Sequence, residues 1–284
     1  MLKRRKKGGK DNMTNKSYNE EKWKETKKLE KEQVMDLLAK TLDNMQQDNQ
    51  VFLKYLNVQS KFDKESLSNA ILISAQFPNA TRLKSYDDWK KIGVSVLNYD
   101  KKVLILKPGK SYVKEDGNGA TFINTQKVYD ISQTNLNTKP KQYDLNLVVS
   151  NLLNNLPVDV LTVESLENNE CVKWDSQRNA ILIKKDSNKD ILLKSLIKEL
   201  VKYEYQNENN KFLDFRCTCI SYMVARKYNI DVSEYNFENI LNEVKDLDSK
   251  QFKDLLNANR NEMQLINSRI NLPIEKTTNE KQER

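Results

Sequence analysis

The 284-residue sequence contains no histidine, and that absence limits the chemistry its side chains can perform. Imidazole is the usual general base, the commonest zinc ligand and the partner of a nucleophilic serine or cysteine, so ordinary hydrolase chemistry is not expected. Six glycines are too few for a phosphate loop or a dinucleotide fingerprint. The thiols are Cys171, Cys217 and Cys219. Cys217 and Cys219 lie two apart on a segment that reads as helical, where such side chains point apart; all three are read as buried thiols, and neither a metal nor a cofactor is expected. Their odd number suits a reducing compartment, which makes the expected location cytoplasmic.

What remains is the chemistry of binding. Arg82, Lys84, Lys90, Lys91, Lys101 and Lys102 bracket Trp89 along the chain. Cationic side chains neutralise phosphates and aromatic rings stack on bases, so this segment is a candidate nucleic-acid-binding face with Trp89, and Tyr86 beside it, as stacking groups. The other reading of Trp89 is a core anchor for a short helix. Ser66, Asn69 and Gln76 recur upstream at helical spacing; they either hydrogen-bond nucleotides or cap and staple the fold.

Periodicity suggests the elements that hold these residues. Leu29, Val34, Leu37, Leu38, Leu42 and Met45, then Phe52, Tyr55 and Leu56, predict a helical stretch over 18–59. A helix over 66–76 ends before Pro78, and 86–92 is a short helix. A strand at 102–107 precedes a hairpin of 111–114 with 120–131, turned at Asp116-Gly117-Asn118-Gly119. Polar residues 132–142 read as a linker. Beyond it come a helix at 143–155, a strand at 158–164, a hairpin of 171–174 with 180–184, and helices at 188–206, 211–228, 235–247 and 249–268. The expected fold class is α+β: helices with a small antiparallel sheet over 18–131, then a second α+β domain over 143–272 with short strands followed by a helical bundle. Residues 1–17 read as a disordered basic tail and 273–284 as a charged one.

Charge is uneven, at +4 over residues 1–50, +7 over 51–143 and −3 over 144–284, so the first half is the half that attracts anions. No apolar run approaches the ~18 residues that span a bilayer, and no membrane partner is expected.

Ser66, Asn69, Leu72, Ile73, Gln76, Pro78, Ala80, Thr81, Trp89 and Gly93 sit in a pattern that resembles the N-terminal single-stranded-DNA-binding domain of ArdC-type antirestriction proteins and their LtrC-like relatives on conjugative elements. Val128 to Thr134 resembles the phrase that closes that domain. The likeness spans most of residues 50–270. It departs at 96–103, where relatives carry a basic, glycine-containing turn and this chain has Leu97-Asn98-Tyr99-Asp100-Lys101.

In the second half, similar proteins carry a zinc-peptidase helix of the H-E-x-x-H type, followed by an acidic third ligand. The matching positions here are Lys198, Glu199, Lys202 and Thr218. Two imidazoles one turn apart hold the metal in such a site and the glutamate takes a proton from its water; here only the glutamate is kept, and two lysines would repel a dication. The resemblance therefore implies a degenerate peptidase domain without catalytic or metal-binding residues. It implies a non-enzymatic protein of a mobile element that coats entering single-stranded DNA against host restriction. The alternative is a protein-interaction module in which the second domain grips a polypeptide such as a host restriction or conjugation protein. For Glu199 itself, pairing with Lys202 or Lys198 is the structural reading.

Overall fold

The structure, a computed structural model, describes residues 11–115, 117–136, 141–206 and 211–272. The expected tails at 1–10 and 273–284 lie outside the described residues, whereas 11–17, expected to be disordered, are helical.

The helical run expected over 18–59 is two helices, α1 (Asp11–Met45) and α2 (Asn49–Lys61). The break has a local cause: the Asp48 carboxylate accepts the amides of Gln50 and Val51 and starts a new helix. Gln46, in the break, donates to the carbonyls of Val244 and Leu247 far along the chain. Val34, Leu38, Leu42 and Met45 form the buried stripe of α1. Helix α3 (Leu67–Gln76) is capped by Ser66 and buries Leu67, Ala70, Ile71, Leu72 and Ile73.

The first sheet has the order β1-β3-β2, antiparallel throughout, from β1 (Leu83–Lys84), β2 (Val103–Val113) and β3 (Gly119–Asp130). Helix α4 (Tyr86–Lys91) lies between β1 and β2 in the chain. The strand expected at 102–107 and the hairpin strand expected at 111–114 are one strand. Pro108 and Gly109 do not end it, because β2 is an edge strand and a register shift between Pro108 and Ser111 absorbs them.

The stretch expected as a linker begins inside packed structure. Ile131–Gln133 is a single 3-10 turn with Ile131 and Gln133 buried, and Thr134 bridges Val96. Residues 137–140 lie outside the described residues.

Helix α5 (Leu145–Asn154) leads to a mixed sheet, order β4-β6-β5, of β4 (Asp159–Val163), β5 (Val172–Asp175) and β6 (Ala180–Lys184); β4 runs parallel and β5 antiparallel to β6. Helices α6 (Lys189–Glu204), α7 (Leu213–Lys227), α8 (Glu238–Asn242) and α9 (Ser249–Asn271) complete the chain. The helix expected at 235–247 shrinks to the five residues of α8, with turns beyond it to Leu247. The class is α+β.

Each half has its own sheet, but one apolar core runs through both. Phe52 of α2 is its centre, with ring centroids 5.7 Å from Phe215, 5.6 Å from Phe237 and 6.4 Å from Phe252. A second, small cluster of Trp89, Val96, Tyr129 and Ile131 sits under the first sheet.

Candidate functional site

Four residues expected at the nucleic-acid face belong to the framework instead. Trp89 is fully buried, and its Nε1–H donates to the Tyr129 carbonyl at 2.9 Å; a ring with no exposed face cannot stack on a base. Ser66 accepts the Asn69 amide and caps α3. Asn69 donates to the Leu106 carbonyl and accepts the Leu106 amide, at 3.0 and 2.9 Å. Gln76 does the same for Leu104, at 2.9 Å each way. These two amides on α3 act as a substitute strand along the free edge of β2, satisfying backbone groups that would otherwise need water. Of the two readings of these polar residues, stapling the fold is the one the geometry supports.

The six cations are exposed or half-buried on the surface around α4. Arg82 and Lys84 reach over the outer side of Trp89, 5.8 and 6.0 Å from its ring centroid. Lys91 pairs with Asp88 at 2.9 Å, and Asp88 also accepts from the Ser85 hydroxyl. The Ser85 and Lys91 contacts hold the Asp88 carboxyl below its ordinary pKa, so this acid is committed to its neighbours. Lys90, Lys101 and Lys102 are exposed.

The exposed rings of this region are tyrosines. Tyr86 at the start of α4 is 41% exposed and Tyr99 is 52% exposed, with ring centroids 6.0 Å apart. Tyr99 in turn meets Tyr129 edge-on at 6.0 Å. Partial loss of water and the neighbouring Tyr86 push the Tyr99 phenol above its usual pKa, so the Tyr99 ring is neutral at physiological pH. Leu97, also exposed, extends the surface.

The segment that presents Tyr99 makes its turn without glycine. The Asn98 side chain accepts the Asp100 amide, a local turn of the kind asparagine favours. Gln133 fixes the segment by donating to the carbonyls of Asn98 and Lys101, at 3.1 and 3.0 Å. Asp130, buried, accepts the amides of Thr81, Arg82 and Ser132. The closing phrase of the first half thus orients Arg82 and Tyr99 together.

In the second half, Glu199 is fully engaged. One carboxylate oxygen accepts the Trp174 amide of the edge strand β5 at 2.9 Å, and the other meets the Lys202 ammonium at 2.6 Å. Burial would lower the Lys202 pKa, but the hydrogen bond and charge of Glu199 raise it overall. Lys198 lies 5.4 Å from the centroid of the Tyr235 ring, and Thr218 is half-buried on α7. Two ammonium groups and a hydroxyl do not make a zinc donor set. Cys217 and Cys219 are free and buried, and burial pushes the Cys217 thiol up to about 12 despite Lys202, and Cys219 well above its ordinary range. Among the described residues no group of three or more cysteine, aspartate or glutamate side chains is placed to hold a metal ion, and no helix is long and apolar enough to cross a membrane.

No protein-family model matches the chain, and no curated protein does. Among the solved structures similar to the chain are two of one protein. One is the metal-free crystal structure of the antirestriction ArdC protein from the R388 plasmid, with a TM-score of 0.48 at 10% identity, covering 72% of this chain and 84% of that one. The other is the Mn(II)-bound structure of the same protein, with a TM-score of 0.44 at 11% identity and the same coverage. At that distance the likeness says nothing of what this chain binds.

Tyr99 and the buried struts Asp130 and Gln133 are the residues that sequence reasoning missed. Asn98 was the available signal, since asparagine favours a local turn and Tyr99 follows it on the surface.

Proposed function

We propose that the protein is a non-enzymatic single-stranded-DNA-binding protein of antirestriction type, belonging to a mobile or conjugative element. The observation that carries the binding surface is the exposed Tyr86–Tyr99 pair, rings 6.0 Å apart, set among Arg82, Lys84, Lys90, Lys91, Lys101 and Lys102. Cations capture the phosphate backbone from solution and the two rings stack on unpaired bases, a combination that tolerates any sequence. Duplex DNA hides its base faces, so the rings favour single strands. The antirestriction context follows from the motif likeness at Ser66 to Gly93.

In this reading the second half is a scaffold. Glu199 locks α6 to β5 through the Trp174 amide and is paired with Lys202.

The test is fluorescence anisotropy of a labelled single strand with duplex competitor, from low to physiological salt. The expected result is salt-dependent binding that the duplex does not displace. Failure of the protein to bind even at low salt overturns the proposal.

A further inference from the structure

The ribbon of β2 and β3 runs past the helices that cover its base. Along one face the paired residues are Val103–Val128, Ile105–Gln126, Lys107–Asn124, then Phe122 opposite the bulge, then Tyr112–Ala120. Val103 and Val128 are buried in the core, so this is the core face of the ribbon continued outward. A strand that leaves the core ordinarily turns polar. Here Tyr112 and Phe122 stack instead, ring centroids 4.3 Å apart and 28° between planes, while 40% and 54% exposed.

The bulge is what brings the pair together. Two residues, Gly109 and Lys110, oppose Phe122, which keeps Tyr112 on the same face. A Cβ at Gly109 would meet the end of the Asn124 side chain, which would have to swing aside. Lys107, Lys110 and Lys114 are exposed along this end, and Glu115 lies beyond them towards the turn. An exposed aromatic pair with cations on its flanks matches the alternation of base and phosphate in a single strand.

We propose that the outer end of this ribbon is a second stacking site for single-stranded nucleic acid, with Tyr112 and Phe122 receiving a base and Lys107, Lys110 and Lys114 meeting the backbone. The inference rests on the single-strand reading above and adds a distinct contact to it. Phe122 is seven residues from Tyr129 along β3, roughly 24 Å at about 3.4 Å per residue. Tyr129 and Phe122 face opposite sides of β3, so one strand passing from Tyr99 to Phe122 must cover more than that span and cross the edge of the ribbon.

Length dependence separates the two sites. Binding of the full chain is measured by anisotropy with labelled single-stranded DNA of about 4 and about 16 nucleotides, the range of site sizes for such grooves. For Tyr112→Ala/Phe122→Ala, affinity for the longer strand falls about tenfold or more, affinity for the short strand is unchanged, and Tyr112→Trp/Phe122→Trp restores the loss. Tyr112 and Phe122 are exposed, and circular dichroism of each variant is the check that it is folded. Equal affinity of wild type and the alanine variant for the longer strand overturns the ribbon site while leaving the tyrosine ledge standing. A wild-type protein that binds neither length overturns both. Sedimentation showing a wild-type dimer that the alanine variant dissolves overturns the ribbon site in favour of a second copy as its occupant.

Discussion

The indole N–H of Trp89 donates to the carbonyl of Tyr129 at 2.9 Å, and the Tyr129 ring in turn supports Tyr99 edge-on at 6.0 Å. On the proposed single-strand reading, stability and binding fall to neighbouring aromatics. Trp89→Phe removes a donor from a fully buried site, a loss of about 1 kcal/mol or more, with single-strand affinity of the folded protein unchanged. Tyr99→Ala does the reverse, keeping stability within about 0.5 kcal/mol and weakening binding by about 1–3 kcal/mol. Urea unfolding and anisotropy on the same two variants check the division; a binding loss for folded Trp89→Phe equal to that of Tyr99→Ala would refute it.

The four lysines at 90, 91, 101 and 102 are expected to act through charge alone. For single strands, log K falls with log salt at a slope of about −0.7 per phosphate neutralised. Replacing all four by alanine should flatten that slope by about 3 and weaken binding most at low salt. An unchanged slope would place the backbone contact elsewhere.

Part of this site was legible in the sequence and part was not. The short helix carrying Trp89 follows from local spacing and forms where expected, and the six cations lie exposed or half-buried around it. The roles of Asn69 and Gln76 do not, because their partners are the backbone of Leu104 and Leu106, which no periodicity reveals. Trp89 was ambiguous for a physical reason: an aromatic among lysines reads alike whether the ring faces in or out, and only the sheet behind it decides. The break at Asp48 was written in a capping residue, but the apolar spacing continued across it and masked it. The length of β2 was hidden by Pro108 and Gly109, which punctuate most strands and here form a bulge at an edge.

Phe52 tests whether the two halves behave as one unit. It is fully buried, belongs to the first half and touches Phe215, Phe237 and Phe252 of the second. Phe52→Ala should cost about 3–5 kcal/mol. Since the core it opens is shared, the first sheet and the second should lose stability together. Hydrogen exchange resolved by segment is the measurement, with β3 and β6 amides both expected to exchange faster. Loss of protection confined to one half would mean that the halves unfold independently.

Glu262 on α9 gives the stability a pH dependence with a definite sign. One of its carboxylate oxygens has no hydrogen-bond partner among the described residues. Burial first, and then the charge of Glu204 on α6, raise its pKa above the ordinary 4.5, against the opposing pull of Arg269 on α9 and Arg216 on α7. Glu204 is itself paired with Arg269 at 2.8 Å, which leaves that arginine less able to serve Glu262. A carboxyl whose folded pKa exceeds its unfolded one binds its proton more tightly in the native state. Its contribution is therefore complete below about pH 4.5 and is lost as pH rises through the folded value. At neutral pH the ionised Glu262 is a net cost. Glu262→Gln keeps the neutral shape, so it should raise the urea midpoint at pH 7, with the advantage shrinking to nothing as pH falls to 4. A variant less stable than wild type at pH 7 would show that Arg216 and Arg269 hold the carboxylate more strongly than burial and Glu204 oppose it.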